Sequence, residues 1–187
     1  MLHSFSVTNF KNFKDKFTFD LSKINNFEFN SECIQNNLIK TALIFGYNGI
    51  GKSNLSLAIF DIISHLTDKF RRPDYYANYL NAESDNDIAD FYFNFKFDDN
   101  FVEYFYGKKS FEDLIYEKVL INGKETISYD RRQNKEVLIN LEGAENLIKD
   151  LSQIKISVVK YVKTNTVLVE NENNSIKSID KDRVIND

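Results

Sequence analysis

A chain of 187 residues, 42% of them hydrophobic, is long enough for one domain with a sizeable core and short for two. No apolar run approaches the roughly 20 residues that cross a bilayer, Met1 to Phe5 lacks the basic and apolar regions of a secretory signal, and the single cysteine, Cys33, excludes an intrachain disulfide, so a cytoplasmic protein with no membrane partner is expected. A formal net charge of −4 excludes whole-chain attraction to nucleic acid, which leaves the clusters Lys69, Arg71 and Arg72, Lys108 and Lys109, and Arg131 and Arg132 for any local contact with it.

Residues 2–21 predict two strands of an antiparallel edge, with Phe5 and Val7 alternating first and Phe17, Phe19 and Leu21 after the turn at Lys14 to Lys16. Residues 22–37 are polar and asparagine-rich, with Phe27 and Phe29 interspersed, and predict a loop. Lys40 to Phe45 reads as a buried parallel strand, with Ala42, Leu43, Ile44 and Phe45 running into the glycine-bearing stretch 46–53. Leu55, Ile59, Ile62, Ile63, Leu66 and Phe70 then recur at helical spacing, and the pattern stops at Arg71-Arg72-Pro73.

From 88 to 141 the signal is β. Phe91, Phe93, Phe95 and Phe97 alternate with Tyr92, Asn94 and Lys96, and the chain turns at Asp98-Asp99-Asn100, at Gly107 to Lys109, and at Asn122-Gly123, a strong type I′ hairpin signal. A short strand at Val137 to Leu141 precedes Ala144, Leu147, Ile148 and Leu151, which predict a small amphipathic helix. Ile154, Ile156 and Val158 alternate, Val167 to Val169 is a short apolar run, and residues 171–187 form a polar tail.

The stretch Gly46-Tyr47-Asn48-Gly49-Ile50-Gly51-Lys52-Ser53 matches G-x-x-x-x-G-K-[ST], the phosphate-binding P-loop. Glycines let the backbone curl until successive N–H groups point at phosphates. Lys52 supplies a point charge at the β- and γ-phosphates, and Ser53 a hydroxyl ligand for Mg2+ at the start of a helix whose dipole favours the anion. The nucleotide contacts so named are Gly46, Asn48, Gly49, Ile50, Gly51, Lys52, Ser53 and Asn54, with ATP and Mg2+ as cofactors and Ser53 as the metal ligand. The expected fold class is α/β, a P-loop NTPase core carrying an antiparallel meander at 88–141.

Two segments resemble the N-terminal half of an ABC-type ATPase head of the SMC, RecF and OLD-nuclease group, which includes bacterial phage-defence ATPases. Phe5 to Asp15 is similar to the group's first strand and its N-F-[KR]-x-F turn, and Gly46 to Ser53 to its G-x-N-G-x-G-K-S loop. The resemblance spans most of residues 2–170 and implies that Asn48 shapes the loop near the γ-phosphate and that Lys11 holds the position of a basic residue near the nucleotide. A solvated turn lysine is the alternative reading of Lys11.

The group hydrolyses ATP with an apolar strand ending in Asp-Glu and with a Ser-Gly signature from a second head. Here no glycine follows a serine. Leu57 to Asp61 imitates the acidic strand but lies within the helix after the loop, and Val167 to Glu170 lacks the aspartate. The chain therefore reads as an incomplete head, residues 1–170, that binds nucleotide and needs a head-to-head dimer partner or a missing C-terminal half for hydrolysis.

A self-contained GTPase is disfavoured because D-x-x-G is absent and Asn134-Lys135-Glu136-Val137 lacks the aspartate of N-K-x-D. A kinase lid could start only from Arg131 and Arg132, and a non-catalytic docking module remains open. His3, His65 and Cys33 are too isolated for zinc, while Glu83, Asp85, Asp87 and Asp90 lack the spacing of a calcium loop. Tyr47, Tyr75 and Tyr76 are candidates to stack on a base.

Overall fold

The computed structural model describes residues 1–24, 29–67, 69, 72–133, 136–144, 146–147, 150–151, 156–170 and 176–180. Its centre is an antiparallel sheet. Strand β1 (Leu2–Thr8) pairs with β2 (Phe17–Asp20) on one side and with β5 (Ala89–Phe97) on the other. The sheet continues through β6 (Asn100–Lys108), β7 (Leu114–Ile121), β8 (Lys124–Asp130) and β9 (Leu138–Ile139), giving seven strands in the order β2-β1-β5-β6-β7-β8-β9. Small hairpins are formed by β3 (Ile34–Gln35) with β4 (Leu38–Ile39), and by β10 (Thr166–Glu170) with β11 (Ile176–Asp180).

Alternation explains the sheet. Phe91 and Phe93 of β5 stand opposite Tyr106 and Tyr104 of β6, which stand opposite Glu117 and Val119 of β7, and these opposite Tyr129 and Ile127 of β8. With Phe5 and Val7 of β1, every residue in these rows is buried, so one face of the sheet is a continuous core layer. Each aromatic ring withdrawn from water there contributes about 1.5–3 kcal/mol. The hairpins close on residues suited to left-handed backbone: Asn122 and Gly123 both have positive φ, 51° and 76°, as a type I′ turn requires.

Two helices cover the core face. Helix α1 (Lys52–Leu66) buries Leu55, Ala58 and Asp61, and α2 (Val158–Asn165) buries Val158 and Val162. Short 3-10 turns occupy Ser31–Cys33 and Pro73–Tyr76.

The α/β expectation is corrected. Among the described residues the strand pairs are all antiparallel and only α1 and α2 are α-helical, which is not the doubly covered parallel sheet of an α/β P-loop NTPase core. Residues 40–45, read as a buried parallel strand, join no sheet, and Leu43 and Phe45 are 80% and 84% exposed. The physical reason is a missing neighbour: a parallel strand needs others brought alongside by crossovers, and among the described residues every strand after α1 pairs antiparallel. The helix expected at 144–151 is also corrected. Its described residues are non-helical, with Asp150 bridged to Glu136, and the second helix forms instead at Val158–Asn165. Phe27, Phe70, Arg71, Ile148 and Ile154, the Asn134-Lys135 pair, and residues 171–175 and 181–187 of the tail lie outside the described residues.

Candidate functional site

The glycine-bearing stretch leads directly into α1. Gly49 and Gly51 adopt φ of 83° and 104°, in the region that favours glycine, and Gly51 is the residue before the first helical turn. Lys52 opens the helix and folds back: its Nζ donates to the carbonyls of Gly46 at 2.6 Å and Tyr47 at 2.7 Å. The intervening residues are thereby closed around the ammonium. Asn48 is exposed on this loop, Ile50 is exposed, and Ser53 stands exposed on the first turn of α1. Tyr47 is exposed, whereas Tyr76 is buried, stacks on Phe111 and donates its hydroxyl to Leu57 O, so it is not free to meet a base.

The turn after β1 reaches this loop. Phe10 and Phe13 exchange two backbone hydrogen bonds around Lys11 and Asn12, and Lys11 takes a positive φ of 49°. Lys11 Nζ donates to Ala77 O at 2.8 Å, and partial burial lowers its pKa. The residue of this turn that touches the loop is Asn12. Its Nδ2 faces Ile50 O at 3.5 Å and its Oδ1 accepts from Asn54 Nδ2 at 2.8 Å. Asn9 and Asn81 fasten the turn to the segment beyond it through Asn9 Nδ2 to Asn86 O and Ile88 O, and Asn81 Nδ2 to Lys11 O. Sequence reasoning singled out Lys11 and passed over Asn12, because no periodicity marks a turn residue whose partner lies 38 positions away.

No family model matches this chain, and no curated protein matches it.

Helix α1 is fixed to the sheet by buried polar groups. Asp61 Oδ1 accepts the Tyr79 hydroxyl at 3.0 Å, and Oδ2 accepts the Tyr106 hydroxyl at 2.9 Å and the Lys108 ammonium at 2.8 Å. Burial pushes both tyrosine hydroxyls well up, so they stay protonated donors, and it lowers Lys108 against the opposing pull of Asp61. One turn on, His65 stacks on Tyr106 and its Nε2 lies 2.6 Å from the Tyr104 hydroxyl. Desolvation holds His65 well below its usual pKa. Glu117 completes the cluster: Oε1 accepts from Ser157 Oγ at 3.2 Å and Val159 N at 3.0 Å, and Oε2 lies 3.8 Å from His65 Nε2. Burial pushes Glu117 up to about 7.

These contacts decide several sequence readings. The acidic-strand mimic ends in Asp61, which is committed to Lys108 and two tyrosines inside the core. Lys108 is accordingly unavailable to nucleic acid, Lys109 pairs with Asp87, Arg131 donates to Ile156 O, and Arg132 is bidentate to Asp130. Among the described residues no three His, Cys, Asp or Glu side chains converge as a metal site. Among them, too, no helix is long and apolar enough to cross a membrane.

Proposed function

We propose that the chain binds Mg·ATP through residues 46–53, as the nucleotide-binding lobe of an SMC/RecF/OLD-like ATPase, and that hydrolysis requires acidic and Ser-Gly signature residues this sequence lacks. The observation that carries the reading is the closure of the loop on Lys52, whose Nζ bridges the Gly46 and Tyr47 carbonyls at the head of a 15-residue helix. A phosphate that displaces those carbonyls gains the ammonium, the N–H groups of the first helical turn and the helix dipole together. Ser53 is exposed on that turn, where its hydroxyl fits the oxygen shell of Mg2+, the rest of which phosphate and water supply. Asn48 lies exposed within the loop; adenine, rather than guanine, rests on the resemblance.

The test is calorimetric titration of Mg·ATP and Mg·GTP into the chain and into Lys52→Ala, with phosphate release measured in parallel. ATP binding that Lys52→Ala abolishes, with negligible turnover, supports the reading. Equal binding by Lys52→Ala sinks it, and rapid turnover by the chain alone favours a self-contained kinase or GTPase.

A second reading is favoured by the exposed segment 42–45, which joins no sheet and carries outward Leu43 and Phe45. In it the chain is a nucleotide-dependent docking module, and the occupant is a polypeptide bearing the acidic strand end and the Ser-Gly signature. Turnover that arises only on mixing with such a polypeptide separates this reading from simple binding.

A further inference from the structure

We propose that Asn12 is a positioning residue of the phosphate loop, which sets the direction of the Gly51 N–H; the inference rests on the nucleotide-binding reading above and deepens it. Asn54 Nδ2 donates to Asn12 Oδ1 at 2.8 Å, so the oxygen end of the Asn12 amide is taken and its Nδ2 faces Ile50 O at 3.5 Å, the long end of hydrogen-bond range. Ile50 C=O and Gly51 N–H belong to one planar trans peptide, in which carbonyl and amide point in opposite directions. A carbonyl turned toward Asn12 therefore turns the Gly51 N–H away from it. A rotation of this peptide would exchange donor for acceptor in the wall that meets an anion.

Gly51 is what makes the approach possible. An added Cβ there would stand 2.8 Å from Asn12 Cγ and 2.9 Å from Oδ1, closer than real Cβ atoms come, and its φ of 104° is itself unfavourable to any other residue. Glycine at this place thus serves two ends: it allows the left-handed backbone and it leaves room for the Asn12 amide. The turn that carries Asn12 is held from behind by buried Phe10, by Lys11 N to Tyr79 O and by Asn81 Nδ2 to Lys11 O. Asn12 consequently approaches the loop from a fixed base. It is also exposed, so its removal leaves the core intact.

The experiment titrates Mg·ATP and inorganic tripolyphosphate into the full chain and into Asn12→Ala, Asn12→Asp and Lys52→Ala. Thermal unfolding and the amide proton shift of Gly51 are recorded for each. Asn12→Asp keeps the acceptor for Asn54 and loses the donor toward Ile50 O. The expected result is affinity about tenfold weaker for both ligands in both Asn12 variants, the loss of one hydrogen bond to a charged group. The unfolding midpoint should stay unchanged, and the downfield movement of the Gly51 amide that ligand produces in the parent chain should be diminished. Unchanged affinity and an unchanged Gly51 shift in Asn12→Ala, with binding abolished in Lys52→Ala, would overturn the role of Asn12 and leave the nucleotide reading standing. If the parent chain binds neither ligand, or Lys52→Ala binds as well as the parent, both are overturned together.

Discussion

The ammonium of Lys108 and the carboxylate of Asp61 face each other at 2.8 Å with side chains 2% and 0% exposed. Two buried charges are tolerated because each is answered: Asp61 by Lys108 and two tyrosine hydroxyls, Lys108 by Asp61 and the rings of Tyr106 and Phe111. Removing one partner leaves the other charged and unpaired in the core. Asp61→Asn or Lys108→Met should therefore each cost about 3–5 kcal/mol in urea denaturation. The double variant should cost clearly less than the two combined, because no unpaired charge is left.

The raised pKa of Glu117 sets a pH dependence. A carboxyl that ionises at about 7 when folded and near 4.5 when unfolded binds more protons in the native state between those values, so stability falls as pH rises through that window. His65, held low, acts in the opposite sense and loses stability as pH falls below about 6.5. The two slopes oppose each other below about 6.5, leaving a net fall from Glu117 as pH approaches 7. Glu117→Gln retains an acceptor for Ser157 and Val159 and has nothing to ionise. Melting curves at several pH values should show the fall between pH 6.5 and 7.5 in the parent chain and not in the variant.

Gly107 lies where the Tyr116 ring crosses β6, and an added Cβ would overlap that ring and stand 2.8 Å from Ile88 Cγ2. Gly107→Ala should lower stability by about 1–3 kcal/mol through this overpacking, read from urea denaturation. Gly123→Ala is the contrast. Nothing stands within 4 Å of its added Cβ, so its cost, about 1 kcal/mol, comes from the positive φ alone.

Leu43 and Phe45 make no core contact to lose. Replacing both with serine should leave the unfolding free energy within about 0.5 kcal/mol of the parent. It should reduce concentration-dependent light scattering, because exposed neighbouring apolar side chains outside any sheet form an adhesive patch. Unaltered scattering would show that the segment is not the adhesive surface.

The sequence made some of this legible and concealed the rest for definite reasons. The alternation of Phe91 and Phe93 and the dipeptide Asn122-Gly123 are local signals, and strands β5, β7 and β8 lie where they point. The run 40–45 carries the same apolar content as a buried strand, but its burial depends on neighbours elsewhere, which no local pattern reports. Helix α2 is capped by Ser157 and by the carboxylate of Glu117, 42 residues from Val159, so its start was hidden while 144–151, with the better local period, stayed non-helical at its described residues. Asp61 did leave a trace. It shares the stripe of Leu55 and Ala58 on α1, and an acid on an apolar helix face calls for a buried cation. Asn12 left none, since its role depends on a contact across the chain.

The anchoring of α1 also limits what ligand binding can move. Asp61 and His65 tie the helix to β6 two turns and more beyond Lys52, so the helix cannot slide along the sheet without breaking contacts inside the core. On the proposed nucleotide-binding reading, entry of a phosphate would be absorbed upstream, by rotation of peptide units between Gly46 and Gly51 and by release of the Lys52 side chain from its two carbonyls. The protein would respond as a stiff rod with a pliable tip, and any travel seen by spectroscopy should fade within one turn of Ser53.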